Sequence, residues 1–437
     1  MPIPHRPLLW LASLWLLLGI GAILLPAARL WWQGYGLIVG AAALADAFAG
    51  RRQRGRITAV REIAAALPVG TWQTVHLRLA GDGTGRLSGQ VHDRHPAVFQ
   101  AEQLPQDFHL PAGRWLRLGY RLLLSERGHH VFPAVDLRLA SPLGLWLVPE
   151  TLPVRSEVQV FPDFSRVVQY TLLATDHRLS QLGVLQQRRR GEGMDFHQLR
   201  DYRQDDSPRR IDWKASARMG RLISREYQDE RDQQIVFLLD CGSRMRARDG
   251  ELSHFDHTLN ALLLLAYVAL REGDAVGLAT FGHPQPRFLP PRKSLTTVNR
   301  LLQNVYDLQP TLQTPDYQAA GEFLGRRLTR RALVVLVTNL RDEDDDTLLP
   351  AMAHLGRRHA LTLASLREPL LDELAQGPIE DFDAALTVAA AMEYRHARQR
   401  QVANLRHTGV HIVDASPGDL PVALINHYWQ RKRAGAL

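Results

Sequence analysis

The residues best placed for chemistry cluster near the middle of the chain. Arg209-Arg210-Ile211-Asp212-Trp213, followed by Ser216 and Arg218, sets arginines beside an aromatic ring and a carboxylate. Arginine and tryptophan are common anchors of binding surfaces, so the stretch is a candidate partner interface. The same residues suit a clamp between domains, with Asp212 paired to an arginine and Trp213 filling a core; the close mixture of signs favours the clamp. His254-x-x-His257, with Asp256, has the i,i+3 spacing of a zinc site on a helix but lacks a third ligand. It reads as surface histidines at a helix start. His129-His130 has no obvious partner. The run Asp342-Glu343-Asp344-Asp345-Asp346 reads as a solvated helix start, where carboxylates suit the helix dipole, with a cation site as the alternative. Arg188-Arg189-Arg190 reads as a solvated loop, with anionic lipid or RNA as alternatives. Gly191-x-Gly193 does not follow a strand, so it is no dinucleotide fingerprint. There is no P-loop and no serine nucleophile elbow, and no catalytic residue emerges.

These residues need elements to hold them. From residue 233 the chain alternates strand and helix. Strands are predicted at 234–240, 275–281, 332–338, 360–366 and 410–414, and helices at 255–271, 294–308, 344–357, 382–405 and 419–432. Near-continuous apolar strands in such alternation mean a parallel sheet covered on both faces. Ligands of such sheets sit at the carboxyl ends of the strands, which points to Asp240. Upstream, 57–160 reads as short strands at 71–79, 86–92, 115–124, 131–139 and 157–161, set off by turn residues. That pattern predicts an Ig-like β-sandwich without a disulfide. The segment 161–232 between them is densely charged and reads as docking onto the following α/β domain.

The first 56 residues differ from all of this. Leu8 to Leu25 carries no charge, Pro26-Ala27-Ala28-Arg29 interrupts it, and a second apolar run continues to about Gly50 with one charge, Asp46. Two spans, about 8–25 and 30–50, make a transmembrane hairpin. A cleaved signal peptide is the weaker reading, because its apolar core would be too long and a second run follows. Arginines at 51, 52, 54 and 56 place both ends and the bulk of the chain in the cytoplasm by the positive-inside rule. Trp10, Trp15, Trp31, Trp32 and Tyr35 suit interfacial positions, and Asp46 reads as a wetted residue near the cytoplasmic end. A lone Cys241 suits that compartment.

The 437 residues, 45% hydrophobic and 22% charged, exclude a disordered chain and a disulfide scaffold. The mean hydropathy of −0.19 averages an apolar start with a polar remainder. The net charge of +8 is no nucleic-acid footprint, since residues 233–437 balance and the excess lies near the N-terminus.

Gly191, Gly193, Asp195, Phe196, Leu199, Arg200, Tyr202, Asp206, Arg209, Ile211, Asp212, Trp213, Ser216, Ala217 and Arg218 form a pattern ahead of a strand ending in aspartate. In this the chain resembles the bacterial domain-of-unknown-function 58 family, and its C-terminal half resembles a von Willebrand factor A (vWA) domain. The resemblance implies a membrane-bound vWA protein working with a MoxR-type AAA+ ATPase and its client in protein assembly or remodelling. A working vWA site holds Mg²⁺ on Asp-x-Ser-x-Ser. Here Gly242 and Arg244 stand at the two serine positions, Asn339 stands at the later aspartate, and Thr314 precedes a proline. The implied metal site is degenerate; its candidate ligands are Asp240, Ser243, Thr314 and Asp342. Arg244 is placed to present its own charge to an acidic partner instead.

The expectation is a non-enzymatic, inner-membrane adaptor without a cofactor. It would bind a protein through Asp240, Ser243, Arg244 and Asn339 at the strand-end rim. The alternatives are a metal-dependent hydrolase or nuclease using the acidic loops, and a passive membrane scaffold.

Overall fold

The computed structural model describes residues 2–25, 28–163, 195–203, 208, 211–228, 233–341 and 345–434. The chain divides into two units, Met1–Phe161 and Pro162–Leu437. Arg188–Arg190, Gly191, Gly193, Asp206, Arg209, Arg210 and Asp342 lie outside the described residues.

The first unit begins with a short strand β1 (Ile3–Pro4) and two helices, α1 (Arg6–Leu24) and α2 (Arg29–Arg51). One of them, α1, is long and apolar enough to cross a membrane, over Arg6–Ile23. The two helices pack together through Trp15 and Trp32, whose rings stack at 5.2 Å. Each indole N–H donates to the other residue's carbonyl, at 3.3 and 3.0 Å. These two tryptophans therefore join the helices rather than serving only as interfacial anchors.

Three sheets follow. β1, β11 (Trp146–Leu152), β10 (Val135–Ala140), β5 (Leu87–Asp93) and β7 (Gln106–Leu110) form one antiparallel sheet in that order. β2 (Ile57–Glu62), β4 (Trp72–Gly81), β8 (Trp115–Leu123) and β6 (Gln100–Glu102) form a second. β3 (Ala66–Pro68), β12 (Ser156–Phe161) and β9 (Gly128–Phe132) form a third, mixed one. Alternating residues such as Val75, Leu77 and Leu79 face the core, as half-buried strands require. The single strand expected at 131–139 is two strands in different sheets, because Pro133 supplies no N–H and interrupts the ladder. At the centre, Arg61 and Asp93 form a fully buried ion pair, and the Tyr120 hydroxyl donates to the same carboxylate at 2.8 Å.

Asp46 is not a wetted residue. It is buried, and its carboxylate accepts from the Ser141 hydroxyl and from the N–H groups of Leu143 and Leu145, at 2.8 and 3.1 Å. Beside it Trp146 Nε1 donates to Ala43 O at 2.8 Å, and Gly50 leaves room for Ser141 and Val148, whose side chains a Cβ would meet at 3.0 Å. The chain start holds the same hairpin: β1 pairs with β11, and His5 N–H donates to Leu145 O at 2.9 Å.

The second unit opens on an antiparallel pair, β13 (Asp195–Asp201) and β14 (Ile223–Gln228), with α3 (Trp213–Met219) between them. Then comes the α/β domain. Its strands are β15 (Gln234–Asp240), β18 (Ala275–Phe281), β19 (Phe288–Arg292), β20 (Leu333–Thr338), β21 (Ala360–Leu366) and β22 (His411–Ala415), with a two-residue pair, β16 (Arg248–Asp249) and β17 (Leu252–Ser253), outside the sheet. Across the sheet the order is β19-β18-β15-β20-β21-β22, and only the edge strand β19 is antiparallel. In chain order that is third, second, first, fourth, fifth, sixth, the doubly wound arrangement whose switch point lies between β15 and β20. The helices are α4 (His254–Arg271), α5 (Thr296–Val305), α6 (Tyr317–Gly325), α7 (Asp345–Gly356), α8 (Pro369–Leu374), α9 (Phe382–His407) and α10 (Leu420–Arg433). They cover both faces of the sheet, around two apolar clusters.

Two predictions follow from this packing. Asp46→Ala removes the acceptor for three donors, and roughly 3 kcal/mol of stability is expected to go with it, read by denaturant unfolding. His427 of α10 lies 2.9 Å from the Thr362 hydroxyl, and burial, then His411 and Arg431, lowers its pKa to about 4. The unfolded chain takes up that proton near 6.5, so between pH 6.5 and 4 the unfolded state binds more protons. Stability therefore falls as pH drops through that window, and His427→Gln should flatten this part of the stability–pH curve.

Candidate functional site

The carboxyl ends of β15, β20 and β21 gather the candidate residues. Asp240 ends β15 and is fully buried. One carboxylate oxygen accepts the Gly242 N–H at 2.7 Å and the other accepts the Thr338 hydroxyl at 2.7 Å. The loop 311–313 lies over this turn: Thr311 N–H donates to Cys241 O and Ser243 N–H donates to Gln313 O, at 2.7 and 2.9 Å. A Cβ at Gly242 would stand 2.8 Å from Gln313 O and 3.0 Å from the Asp240 carboxylate. Gly282, with φ +67°, lies on the other side, where a Cβ would stand 2.8 Å from Gly242 N and 3.1 Å from the Asp240 carboxylate. The turn beside Asp240 therefore has no room for a side chain at either glycine.

The implied Mg²⁺ does not fit these residues. Gly242 offers no side-chain oxygen, Thr314 is exposed ahead of the buried Pro315, and a guanidinium stands at the second serine position. Among the described residues, no group of three His, Cys, Asp or Glu side chains is placed to hold a metal.

The other rim residues turn inward as well. Asn339 is buried after β20; its amide donates to Glu368 Oε1 at 2.6 Å, and its oxygen accepts from Arg398 at 3.4 Å. Asp240 and Asn339 are therefore both buried and bonded within the domain. Arg244, on the one-turn helix Ser243–Arg246, is buried too, while Ser243 is half-buried. Arg398 was not among the candidate residues. From α9 it donates to Leu340 O, Ser365 Oγ, Leu366 O and Asp414 Oδ1, at 2.8, 2.8, 2.9 and 2.6 Å. His254 is likewise not a surface residue. It is buried, 3.4 Å from the Asn339 amide, and burial lowers its pKa despite Glu368. Burial, then Glu368, raises the Tyr394 phenol. The rim is thus a cross-linked polar layer of side chains already engaged with each other.

The arginine–tryptophan motif divides differently. Asp212 caps α3 by accepting the Ala215 N–H at 2.9 Å. Ser216 is buried; its hydroxyl donates to Asp212 O and accepts the Ile223 N–H, at 2.7 and 2.8 Å. Trp213 is 68% exposed, so it fills no core within its own unit. Arg218 is exposed beside it. A capping carboxylate and a bonded serine fix the short helix, which holds the indole out.

The family described as "Protein of unknown function DUF58" matches residues 198–409. The match covers the charged motif region from β13 onward and most of the α/β domain. It is 24% identical over 272 residues to the uncharacterized protein YeaD of Bacillus subtilis strain 168, covering 61% of this chain and 64% of that relative's length. Among solved structures, the chain is similar to the SpRpn10 VWA domain (TM-score 0.27, 11% identity, 44% of this chain and 93% of that one). It is also similar to the conserved hypothetical protein BatB of Bacteroides thetaiotaomicron (TM-score 0.28, 15% identity, 46% and 98%). The α/β domain shares with these the doubly wound strand order described above.

Gly242→Ser restores the vWA side chain without room for it. The expected outcome is a loss of roughly 1–3 kcal/mol from overpacking, seen as a lower Tm that millimolar Mg²⁺ does not restore.

Proposed function

We propose that this chain is a membrane-anchored adaptor that binds another protein through its α/β domain. The observation that carries this reading is an exposed apolar surface on α8 and the start of α9. Leu370 on α8, Ile379 in the connection, and Phe382 and Leu386 on α9 stand in solvent there, Phe382 at 76% exposure, and the two helices pack together. The surface begins directly after Glu368, the rim residue bonded to Asn339. Clustered exposed apolar side chains rimmed by charge mark a protein-binding surface. Trp213 and Arg218 offer a second set of anchors on α3.

The anchor is the α1–α2 pair, read as two spans of the bacterial inner membrane. Ahead of Ala43, where α2 meets the β10–β11 hairpin, the helix extends about 21 Å, and α1 supplies the longer apolar span beside it. Arg51, Arg52, Arg54 and Arg56 put the bulk of the chain in the cytoplasm. Residues 3–5 and Asp46 hold the same β10–β11 hairpin, which supports both ends of the pair lying on one side. The partner that the family resemblance implies is a MoxR-type AAA+ ATPase with its client. A rim whose polar groups are bonded to each other supports binding rather than catalysis.

Crosslinking of the full chain in its membrane, followed by identification of the captured proteins, tests this. Capture of an AAA+ ATPase, lost in Phe382→Asp/Leu386→Asp while the folded chain persists, is the expected result. Recovery of no ATPase, or capture that survives the double substitution, overturns it.

A further inference from the structure

The amino edge of the α/β sheet carries a different chemistry from the rim. β20 begins just after Arg326-Arg327 and Arg330-Arg331, and β21 just after Arg357-Arg358-His359. The two turns adjoin: Ala360 N–H donates to Ala332 O at 3.0 Å, and Arg358 reaches Thr329 O at 3.5 Å. Between α6 and α7 they border a cleft of about 570 Å³ whose wall includes Glu322, Arg326, His354, Arg357, Arg358 and His359. That volume is in the range of small-ligand sites.

Positive charge accumulates here. Arg326, Arg330, Arg331, Arg357 and Arg358 are all exposed. The one carboxylate in the wall, Glu322, pairs with Arg326 at 3.1 Å. Among the described residues, no carboxylate pairs with Arg330, Arg331, Arg357 or Arg358. Nearby, burial and then Arg331 lower the Arg431 pKa, as like charges do. The C-terminal ends of α6 and α7 also point to this edge, but each helix dipole offsets only about half a charge. The guanidinium groups outnumber what those helix ends neutralise.

His359 is the second observation. It is buried at 5% exposure in the cleft wall, and neither ring nitrogen has a hydrogen-bond partner. Burial and Arg358 lower its pKa, so the ring is neutral, with one donor and one acceptor. Leaving both unmade inside a fold is costly, and a bound polar group that reaches them gains what folding leaves unmade.

We propose that this cleft binds a phosphate group, carried either by a soluble phosphate ester or diphosphate or by an anionic lipid headgroup. Arg357 and Arg358 supply planar forks that match phosphate oxygens two at a time, Arg326 closes the α6 side, and His359 offers a hydrogen bond at the wall.

Phenylglyoxal labelling of arginines, read by mass spectrometry on the full chain in nanodiscs, tests the site. One arm adds inorganic pyrophosphate to phosphatidylcholine discs; the other uses discs containing phosphatidylglycerol with nothing added. The expected result is protection of Arg326, Arg357 and Arg358 relative to the exposed Arg400. Protection in the first arm identifies a soluble phosphate, and protection in the second alone a headgroup. In the protecting arm, Arg357→Gln/Arg358→Gln should raise the half-protecting concentration for Arg326 roughly tenfold with Tm unchanged. If that variant does not fold, Arg326→Gln gives the same comparison at Arg357. No protection in either arm, or protection indifferent to the substitutions, overturns the proposal.

Discussion

The Arg398 guanidinium reaches from α9 to Leu340, Ser365, Leu366 and Asp414, and so joins the ends of β20, β21 and β22. Neighbouring strands of a parallel sheet are bonded along their length, but their ends emerge as separate loops with unsatisfied carbonyls. One planar donor with several N–H groups satisfies two of those carbonyls and a carboxylate together. Its position also fixes Asn339, and through Asn339 the Glu368 side chain from which α8 departs. The orientation of the exposed α8–α9 surface thus depends on a buried charge. Removing one partner of such an arrangement leaves the other charge unpaired, which a fold tolerates poorly.

This arrangement separates two jobs that vWA-type sheets usually combine. The Asp240 turn is packed shut by backbone from Gly242, Gly282 and Gln313, so the strand ends act as scaffold. The side chains standing clear of the sheet are elsewhere: Phe382 and Leu386 on one helix, Trp213 on another. A closed polar layer beneath an apolar surface gives rigid presentation, because none of the layer's side chains must reorganise when a partner arrives.

Sequence was most informative where burial is complete on both faces. The apolar runs at 234–240, 275–281 and 360–366 appear as strands at those positions, since a fully buried strand tolerates little else. It misled where a single residue redirects the chain, as Pro133 does between β9 and β10. It was silent on β13 and β14, whose alternating charges conceal a ladder. The candidate rim residues were found from strand ends, but their inward orientation was not legible. Arg398 stands in a helix rich in arginine, and nothing local marks it as the one that turns in. Asp46 and Ser141 are 95 positions apart in the chain, a contact that no local pattern reveals. Trp213 shows the converse: its residue type suits a core and an interface equally, and only the capped helix decides its exposure.

The strand Ile3–Pro4 has a consequence for how the chain is made. Its partners on β11, and the Leu145 carbonyl that takes the His5 N–H, are about 140 residues further along the chain. Residues 3–5 are therefore synthesised long before the strand that pairs with them. Until they dock, β11 is an open edge, and closing so long a loop is slow and entropically costly. During that interval a chaperone or another chain has its best opportunity to take the place of Ile3–Pro4 on that edge.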